Sequence, residues 1–342
     1  MKDNIIVTGG AGFIGSNFIP YFLNKYPQYN IINLDKLTYA GNLENLRELI
    51  DNKRYSFVQG DICDRKLVES LFENNRITGV IHFAAESHVD NSIDGPDVFI
   101  ETNVKGTFTI LDVARKYWMS APFIHKPGFG DSRFLHVSTD EVYGSLGRDG
   151  YFTEKTPYAP NSPYSASKAS ADFIVRSFFH TYGMNVLITN CSNNYGPKQH
   201  YEKLIPTIIK NALAHKPIPI YGDGKNVRDW LYVLDHCKAL DKIYHEGAFG
   251  ETYNIGGNNE QDNISIVNGV CKILDELIPS EKLNSYQELI TFVKDRPGHD
   301  RRYAIDASKL RNTLGWLPEE DFETGIRKTV EWYIMQLQIN KG

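Results

Sequence analysis

The chain has 342 residues, 41% hydrophobic and 23% charged, enough to bury a core in one large or two modest domains. Its net charge of −5 argues against a nucleic-acid groove, and no apolar run is long enough to span a bilayer. Cys63, Cys191, Cys237 and Cys271 are scattered, with no Cys-x-x-Cys pair and no Cys/His spacing that would hold a metal; with no signal-like start, this suits a reducing cytoplasm.

The chain opens with an apolar run, Asn4 to Val7, followed by TGGAGFIGS. The run predicts a buried parallel strand and the glycines its turn into a helix. Gly9 permits the tight turn, Gly12 lets backbone approach a pyrophosphate, and Gly15 lets the helix pack closely. An anion then sits at the helix N-terminus, where free N–H groups face it. A second strand, Asn30 to Leu34, ends in Asp35, 20 residues after Gly15. A carboxylate there accepts hydrogen bonds from an adenosine ribose and repels a 2′-phosphate, so NAD is expected rather than NADP. The competing readings are a turn residue at Asp35 and a phosphate-binding role for the neighbouring Lys36. A third strand, Tyr55 to Gln59, leads to Asp61 and Ile62, which flank an adenine or form an ordinary turn. A fourth, Val80 to Phe83, runs into Ala84, Ala85, Glu86 and Ser87, small residues that let backbone lie close to a ligand. A helix over Ile100 to Tyr117 carries Thr102 and Asn103 near its start. The insert from Ser120 to Ser132 reads as an irregular surface loop. Alternating strands and helices predict an α/β fold, a Rossmann-type doubly wound parallel sheet with ligands at the carboxyl ends of its strands.

The next strand, Phe134 to Ser138, stops at a hydroxyl and two carboxylates: Thr139, Asp140 and Glu141. Downstream, SPYSASK opens a helix with Tyr164 and Lys168 four residues apart on one face. A fixed ammonium is expected to lower the phenol pKa from about 10 and make Tyr164 a base for a sugar hydroxyl. The helix Ser165 to His180 has apolar residues on several sides, so one side is a candidate subunit interface. With the Ile100–Tyr117 helix it predicts a homodimer built on four helices. A sixth strand, Asn185 to Thr189, ends near Asn193 and Asn194. Beyond Pro197 the texture changes: EKLIP starts a helix, a turn-rich segment ends in VRDW, YNIGG reads as strand and turn, and DRPGHDRRYAID is rich in arginine. Arg228 and Arg296 are candidates to clamp a second diphosphate, whereas Arg301 and Arg302 read equally as salt-bridged surface. The expected division is a dinucleotide-binding domain over 1–195, joined by part of 230–265, and a substrate domain mainly over 196–342, interwoven without a linker.

Together, TGGAGFIGSN, DKLTYAGN, FAAESHVD, STDEVYG, SPYSASKA, NNYGP, EKLIP, VRDW, YNIGG and DRPGHDRRYAID resemble the extended short-chain dehydrogenase/reductase family that acts on nucleotide sugars, over nearly the whole chain. Thr139, Asp140 and Glu141 together resemble its nucleoside-diphosphate-glucose dehydratases; related dehydratases and decarboxylases keep only the Glu. The resemblance implies that Tyr164 and Lys168 serve oxidation at C4 of the sugar, that Glu141 and Asp140 serve loss of water across C5 and C6, and that Thr139 bonds the 4-hydroxyl. It implies NAD held by Gly9, Gly12, Phe13, Ile14, Gly15, Asp35, Lys36, Leu37, Thr38, Asp61, Ile62, Phe83, Ala84, Ala85, Thr102, Tyr164, Lys168 and Asn194. It implies a nucleotide sugar held by Ser87, Thr139, Asn193, Glu202, Lys203, Leu204, Pro219, Ile220, Tyr221, Arg228, Asn263, Arg296 and His299. The chain departs from the family at KQHY, between NNYGP and EKLIP, a loop expected to face the nucleotide end. A different enzyme of the same fold and a non-catalytic dinucleotide sensor are the competing readings; a sensor needs no acid–base set.

Overall fold

A computed structural model describes residues 3–295 and 300–339. Seven short runs form its main sheet: β1 (Asp3–Thr8), β2 (Tyr29–Asp35), β3 (Tyr55–Gln59), β4 (Ile77–His82), β5 (Arg133–Thr139), β6 (Val186–Cys191) and β7 (Thr252–Ile255). Every pairing is parallel, and the spatial order is β7-β6-β5-β4-β1-β2-β3. Helices cover both faces, which is why the strands read as continuous apolar runs. Alternation still sorts their side chains: Ile5 and Val7 join a core with Phe18, Phe22, Leu135 and Leu240, whereas Ile6 joins one with Leu34, Val80, Phe134, Trp118 and Val175. Strand order reverses between β1 and β4, and an open α/β sheet forms its ligand crevice at such a point.

The helical run at Asp97 has an α-helical start, a π-helical stretch over Ile100–Gly106 and an α-helix over Thr107–Trp118. Widened turns of this kind recur at functional sites. Asn103, inside the stretch, is buried; its side-chain amide donates to Glu86 O (3.0 Å) and Ser167 Oγ (2.9 Å) and accepts from the Glu86 N–H (2.8 Å). It ties this helix to the loop after β4 and to the helix Pro163–Tyr182. That second helix starts in a reciprocal Ser162/Ser165 capping box and ends at Gly183 in the left-handed region.

Three expectations change in detail. The insert Ser120–Ser132 contains a small antiparallel pairing of Met119–Ala121 with Ile124–His125. The helix Pro163–Tyr182 is less apolar outside than its composition suggests, because Ala169, Ala171, Val175 and Phe178 are buried and Phe173, 58% exposed, is its large apolar residue in solvent. The second half returns to the first: β7 pairs with β6, and the helix Val233–Glu246 packs Cys237, Leu240 and Ile243 against the β1 side. A separate cluster around Tyr195, Ile209, Trp230, Val270 and Tyr333 lies beneath a three-stranded sheet ordered Glu260–Asp262, Val227–Tyr232, Asn193–Tyr195. One residue, Ser192, separates β6 from the strand Asn193–Tyr195, so the chain passes between the two cores without a linker.

Candidate active site

The cleft at the carboxyl ends of β1, β4, β5 and β6 is built first by glycines. Gly9 has φ +69°, and a Cβ there would stand 2.7 Å from Ala84 Cα. A Cβ on Gly15 would stand 2.6 Å from Gly10 Cα, so Gly15 packs against the loop itself. One on Gly12 would meet only Gly9 O, at 3.2 Å, which leaves that backbone approachable from the cleft. The helix Phe13–Lys25 starts beside it, with first-turn N–H groups that no intrahelical carbonyl can reach. These features fit a pyrophosphate.

Asp35 accepts the Ala11 N–H through Oδ2 (2.9 Å) and the Leu37 N–H through Oδ1 (2.8 Å), tying the glycine loop to the end of β2; burial pushes its carboxyl up. Leu37, with φ +56°, contributes this backbone bond but no wall of the cleft, which Lys36 and Thr38 form on either side. Lys36 is paired with Asp61 at 2.7 Å. Burial raises the Asp61 carboxyl, but the Lys36 ammonium and the Cys63 N–H together hold it below its ordinary value. Engaged in this way, Lys36 is not a free cation for a 2′-phosphate. Phe13, Ile14, Ile62, Phe83, Ala84, Ala85, Thr102 and Asn194 line the same cleft.

Its far wall carries the reactive groups. The Glu141 N–H donates to Thr139 Oγ1 (3.2 Å), a turn that aims Thr139, Asp140 and Glu141 at one space. Tyr164 and Lys168 face them, 8% and 4% exposed, and the Lys168 ammonium donates to Val137 O at 2.8 Å. The expected lowering of the Tyr164 pKa does not occur. Burial raises it well above its ordinary value and Glu141 adds to the rise, while the Thr139 hydroxyl pulls it down; Lys168 is spent on a carbonyl and is itself lowered by burial. Asp140 is 1% exposed, and burial, Glu141 and Asp229 push its carboxyl well up against the pull of Arg228. Of the two carboxyls, Asp140 is the one whose surroundings favour the acid form.

Asp229 escaped sequence reasoning. It lies next to Arg228 in VRDW, is 1% exposed, and accepts the N–H groups of Gly257 (2.9 Å) and Asn259 (2.7 Å). Its position between an arginine and a tryptophan on a strand that pairs with Asn193–Tyr195 was the available signal.

Ser87, Asn193, Glu202 and Lys203 line the same cleft. Six other sequence candidates stand apart from its wall. Leu204 opens the helix Leu204–Leu213 and packs on the third core; Pro219, Ile220 and Tyr221 lie on the strand Ile218–Tyr221, with Ile220 buried and Tyr221 42% exposed. The Asn263 N–H donates to Asn226 O (3.2 Å) at the head of another helix. Arg228 is buried, donates to Val227 O (2.8 Å) and Asp300 O (2.9 Å), and lies 4.3 Å over the Tyr303 ring. Its suggested diphosphate partner Arg296, like His299, lies outside the described residues. Arg301 pairs with Asp223 (2.8 Å) and Arg302 with Glu260 (2.7 Å), the salt-bridged alternative. The KQHY loop packs against the dinucleotide loop: Asn17 Nδ2 donates to Pro197 O (2.9 Å), Lys198 Nζ to Ser16 O (3.1 Å), and Gln199 and His200 line the cleft, with His200 edge-on to Tyr39. The loop also reaches the second half of the chain: the Gln199 carbonyl accepts from Tyr333 OH, and Tyr201 lies edge-on to the Tyr333 ring at 5.6 Å, so its described contacts bridge both ends of the cleft.

Among the described residues no group of three or more His, Cys, Asp and Glu could hold a metal ion, and no helix is long and apolar enough to cross a membrane. The chain is 55% identical over 336 residues to dTDP-glucose 4,6-dehydratase of Neisseria gonorrhoeae, covering 97% of this chain and 96% of that one. Among solved structures it resembles dTDP-glucose 4,6-dehydratase of Bacillus anthracis in complex with NAD (TM-score 0.85, 47% identity, 98% of each chain). It also resembles the Streptomyces venezuelae enzyme of the same name, solved with NAD bound (TM-score 0.88, 43% identity, 98% of each chain). A family model described as GDP-mannose 4,6 dehydratase matches residues 6–329, and the chain belongs to that family of extended short-chain dehydrogenase/reductases.

Proposed function

We propose that this chain converts dTDP-glucose to dTDP-4-keto-6-deoxyglucose and water with NAD as a resident cofactor. The carrying observation is the cleft in which the buried Asp140 and its neighbour Glu141 stand opposite Tyr164 and Lys168, beside a glycine loop that fits a pyrophosphate. The relatives' activity supports the choice of dTDP-glucose.

NAD, when bound, supplies hydride acceptance at C4 and hydride return to C6, so it ends each turnover as it began. Gly9, Gly12, Phe13, Ile14 and Gly15 hold its pyrophosphate, and Asp35 its adenosine ribose. Tyr164 takes the proton of the sugar 4-hydroxyl, which Thr139 orients. Burial and Glu141 oppose ionisation of this phenol, so it acts as the base only when positive charge offsets them. Lys168, four residues along the same helix face and held at the Val137 carbonyl, is the chain's nearest ammonium on that face. The resulting 4-keto group acidifies C5. Glu141 removes the C5 proton, Asp140 protonates the departing 6-hydroxyl, and Glu141 returns a proton to C5; the proton Tyr164 took from the 4-hydroxyl balances the one Asp140 gave up, and exchange with solvent resets both. Asp140, pushed up by burial and by the neighbouring Glu141, suits the acid's task, which leaves the base's task to Glu141.

The second half of the chain, with Ser87 and Asn193, holds the nucleotide sugar, and residues 1–195 with the returning strand β7 form the cofactor domain. Phe173, Phe108 and Ile100, 58%, 42% and 52% exposed, support a homodimer through the two helices that carry them. The four unpaired cysteines support a cytoplasmic site. The test is incubation with dTDP-, UDP- and CDP-glucose and measurement of the 4-keto-6-deoxy product. Product from dTDP-glucose at the highest kcat/KM is expected; none from it would refute the reading.

A further inference from the structure

The helix that carries Tyr164 and Lys168 carries a third buried polar residue on the same face. Asp172 follows Lys168 by four residues, as Lys168 follows Tyr164, a spacing that sets Cβ atoms about 6 Å apart along one side of a helix. It is 2% exposed. One of its oxygens, Oδ2, accepts three hydrogen bonds: from Ser138 Oγ (3.0 Å), Tyr158 OH (3.0 Å) and Asn190 Nδ2 (3.3 Å). The other, Oδ1, stands 3.2 Å from His136 Nε2. Asn190 Nδ2 also donates to Thr139 O (3.0 Å), so Asp172 reaches the backbone of the reactive turn through one intermediary.

Two rows of contacts thus lock this helix face to the end of β5. Lys168 is bonded to Val137, and Asp172 to Ser138 and, through Asn190, to Thr139. A carboxylate in so dry a place needs a positive partner, and a buried ammonium needs a negative one. The other titratable groups facing the pair do not serve. His136 and His82, stacked at 5.4 Å, are pushed down by burial, which disfavours their charged forms. The Cys191 thiol is pushed up to about 12, mainly by burial, and Tyr158 and Tyr143 are raised in the same way. What remains is Asp172 against Lys168; Asp172 supports the charged form of the lysine, which burial opposes.

We propose that Asp172 is the counter-charge of Lys168 and locks the Tyr164–Lys168 face in register with Thr139–Asp140–Glu141, a positioning residue for the reaction. The assignment of the lysine to the reaction rests on the function proposed above; the pairing of charges does not.

The test compares Asp172→Asn with Tyr158→Phe, which removes one hydrogen bond to Asp172 but no charge. Lysine ε-carbons are followed by NMR across pH in the NAD-loaded protein, with the Lys168 signal assigned by its loss in Lys168→Met. An opposite charge at this range typically shifts a titration by one unit or more. Asp172→Asn should therefore move the Lys168 midpoint down by about one pH unit, and Tyr158→Phe should leave it in place. The alkaline limb of kcat should fall to lower pH in parallel, with KM little changed. Asp172→Ser, a second neutral variant, must show the same shift and covers a failure of the asparagine to fold. An unmoved lysine midpoint in the neutral variants, or an equal shift in Tyr158→Phe, would overturn the counter-charge role. A parent protein inactive on dTDP-glucose would instead sink the proposed function, and the NMR midpoints would still decide this pairing.

Discussion

Replacing Asp140 by asparagine separates the two halves of the reaction. Asp140 is 1% exposed, and burial first, then Glu141 and Asp229, push its carboxyl well above the ordinary range. It holds a proton that an amide of the same shape cannot give. General acid catalysis contributes about 10²–10⁴-fold, so Asp140→Asn should lower formation of the 4-keto-6-deoxy product by roughly that factor. In the proposed reaction, oxidation at C4 relies on Tyr164 and Lys168 rather than on Asp140, so the variant should accumulate reduced nicotinamide after substrate is mixed in, visible in stopped-flow absorbance. Tyr164→Phe should show neither product nor that absorbance. The buried acid also marks stability. Its folded pKa lies above the unfolded value of about 4, so the unfolded chain loses its proton first as pH rises. Stability is then lost from about pH 4 up to the folded value, at about 1.4 kcal/mol for each pH unit between the two. An asparagine carries no such penalty, so Asp140→Asn should melt above the parent at neutral pH, with the gap closing at acid pH. Equal defects in both variants without reduced nicotinamide, or an asparagine variant that melts lower at neutral pH, would mean that Asp140 builds the site and does not supply a proton.

Gly12→Ala places a methyl 3.2 Å from Gly9 O, a tight contact the turn must yield slightly to accept, on the side a pyrophosphate approaches; the purified variant should carry much less NAD, and a full complement of NAD would count against the loop's role. Gly9→Ala, at φ +69° and 2.7 Å from Ala84 backbone, should also lower the melting temperature, by a strain of about 1–2 kcal/mol before any clash. Thymine exceeds uracil by one methyl worth about 1 kcal/mol, so dTDP-glucose should be favoured over UDP-glucose by roughly fivefold or more in kcat/KM, and equal efficiencies would move the substrate to a UDP-sugar. Phe173→Glu sets a charge on an apolar side chain that is 58% exposed in the single chain, and light scattering should find a dimer for the parent and a monomer for the variant; an unchanged mass would place the interface elsewhere.

Local chemistry made much of this molecule legible in its sequence. The glycine turn, the carboxylate that ends β2, the strand-end Thr139–Asp140–Glu141 and the i, i+4 pair Tyr164 and Lys168 are each written within a few residues, because a turn and a helix face are short-range geometry. The apolar runs foretold a parallel sheet because strands buried on both faces have no polar side to show. Electrostatics was not legible. The phenol of Tyr164 was expected to fall and instead rises, since burial and Glu141 outweigh an ammonium already bound to the Val137 carbonyl. Asp229 beside Arg228, and Asp172 four residues after Lys168, left local signals, but how dry each becomes and that Asp229 faces Asp140 depend on contacts far apart in the chain. The return of part of 230–265 to the first half was expected; that Thr252–Ile255 joins as the edge strand beside β6 is a pairing the sequence does not state. Periodicity says that a strand exists and which of its sides is apolar; which neighbour it pairs with, and how dry each charge becomes, is decided by contacts far apart in the chain.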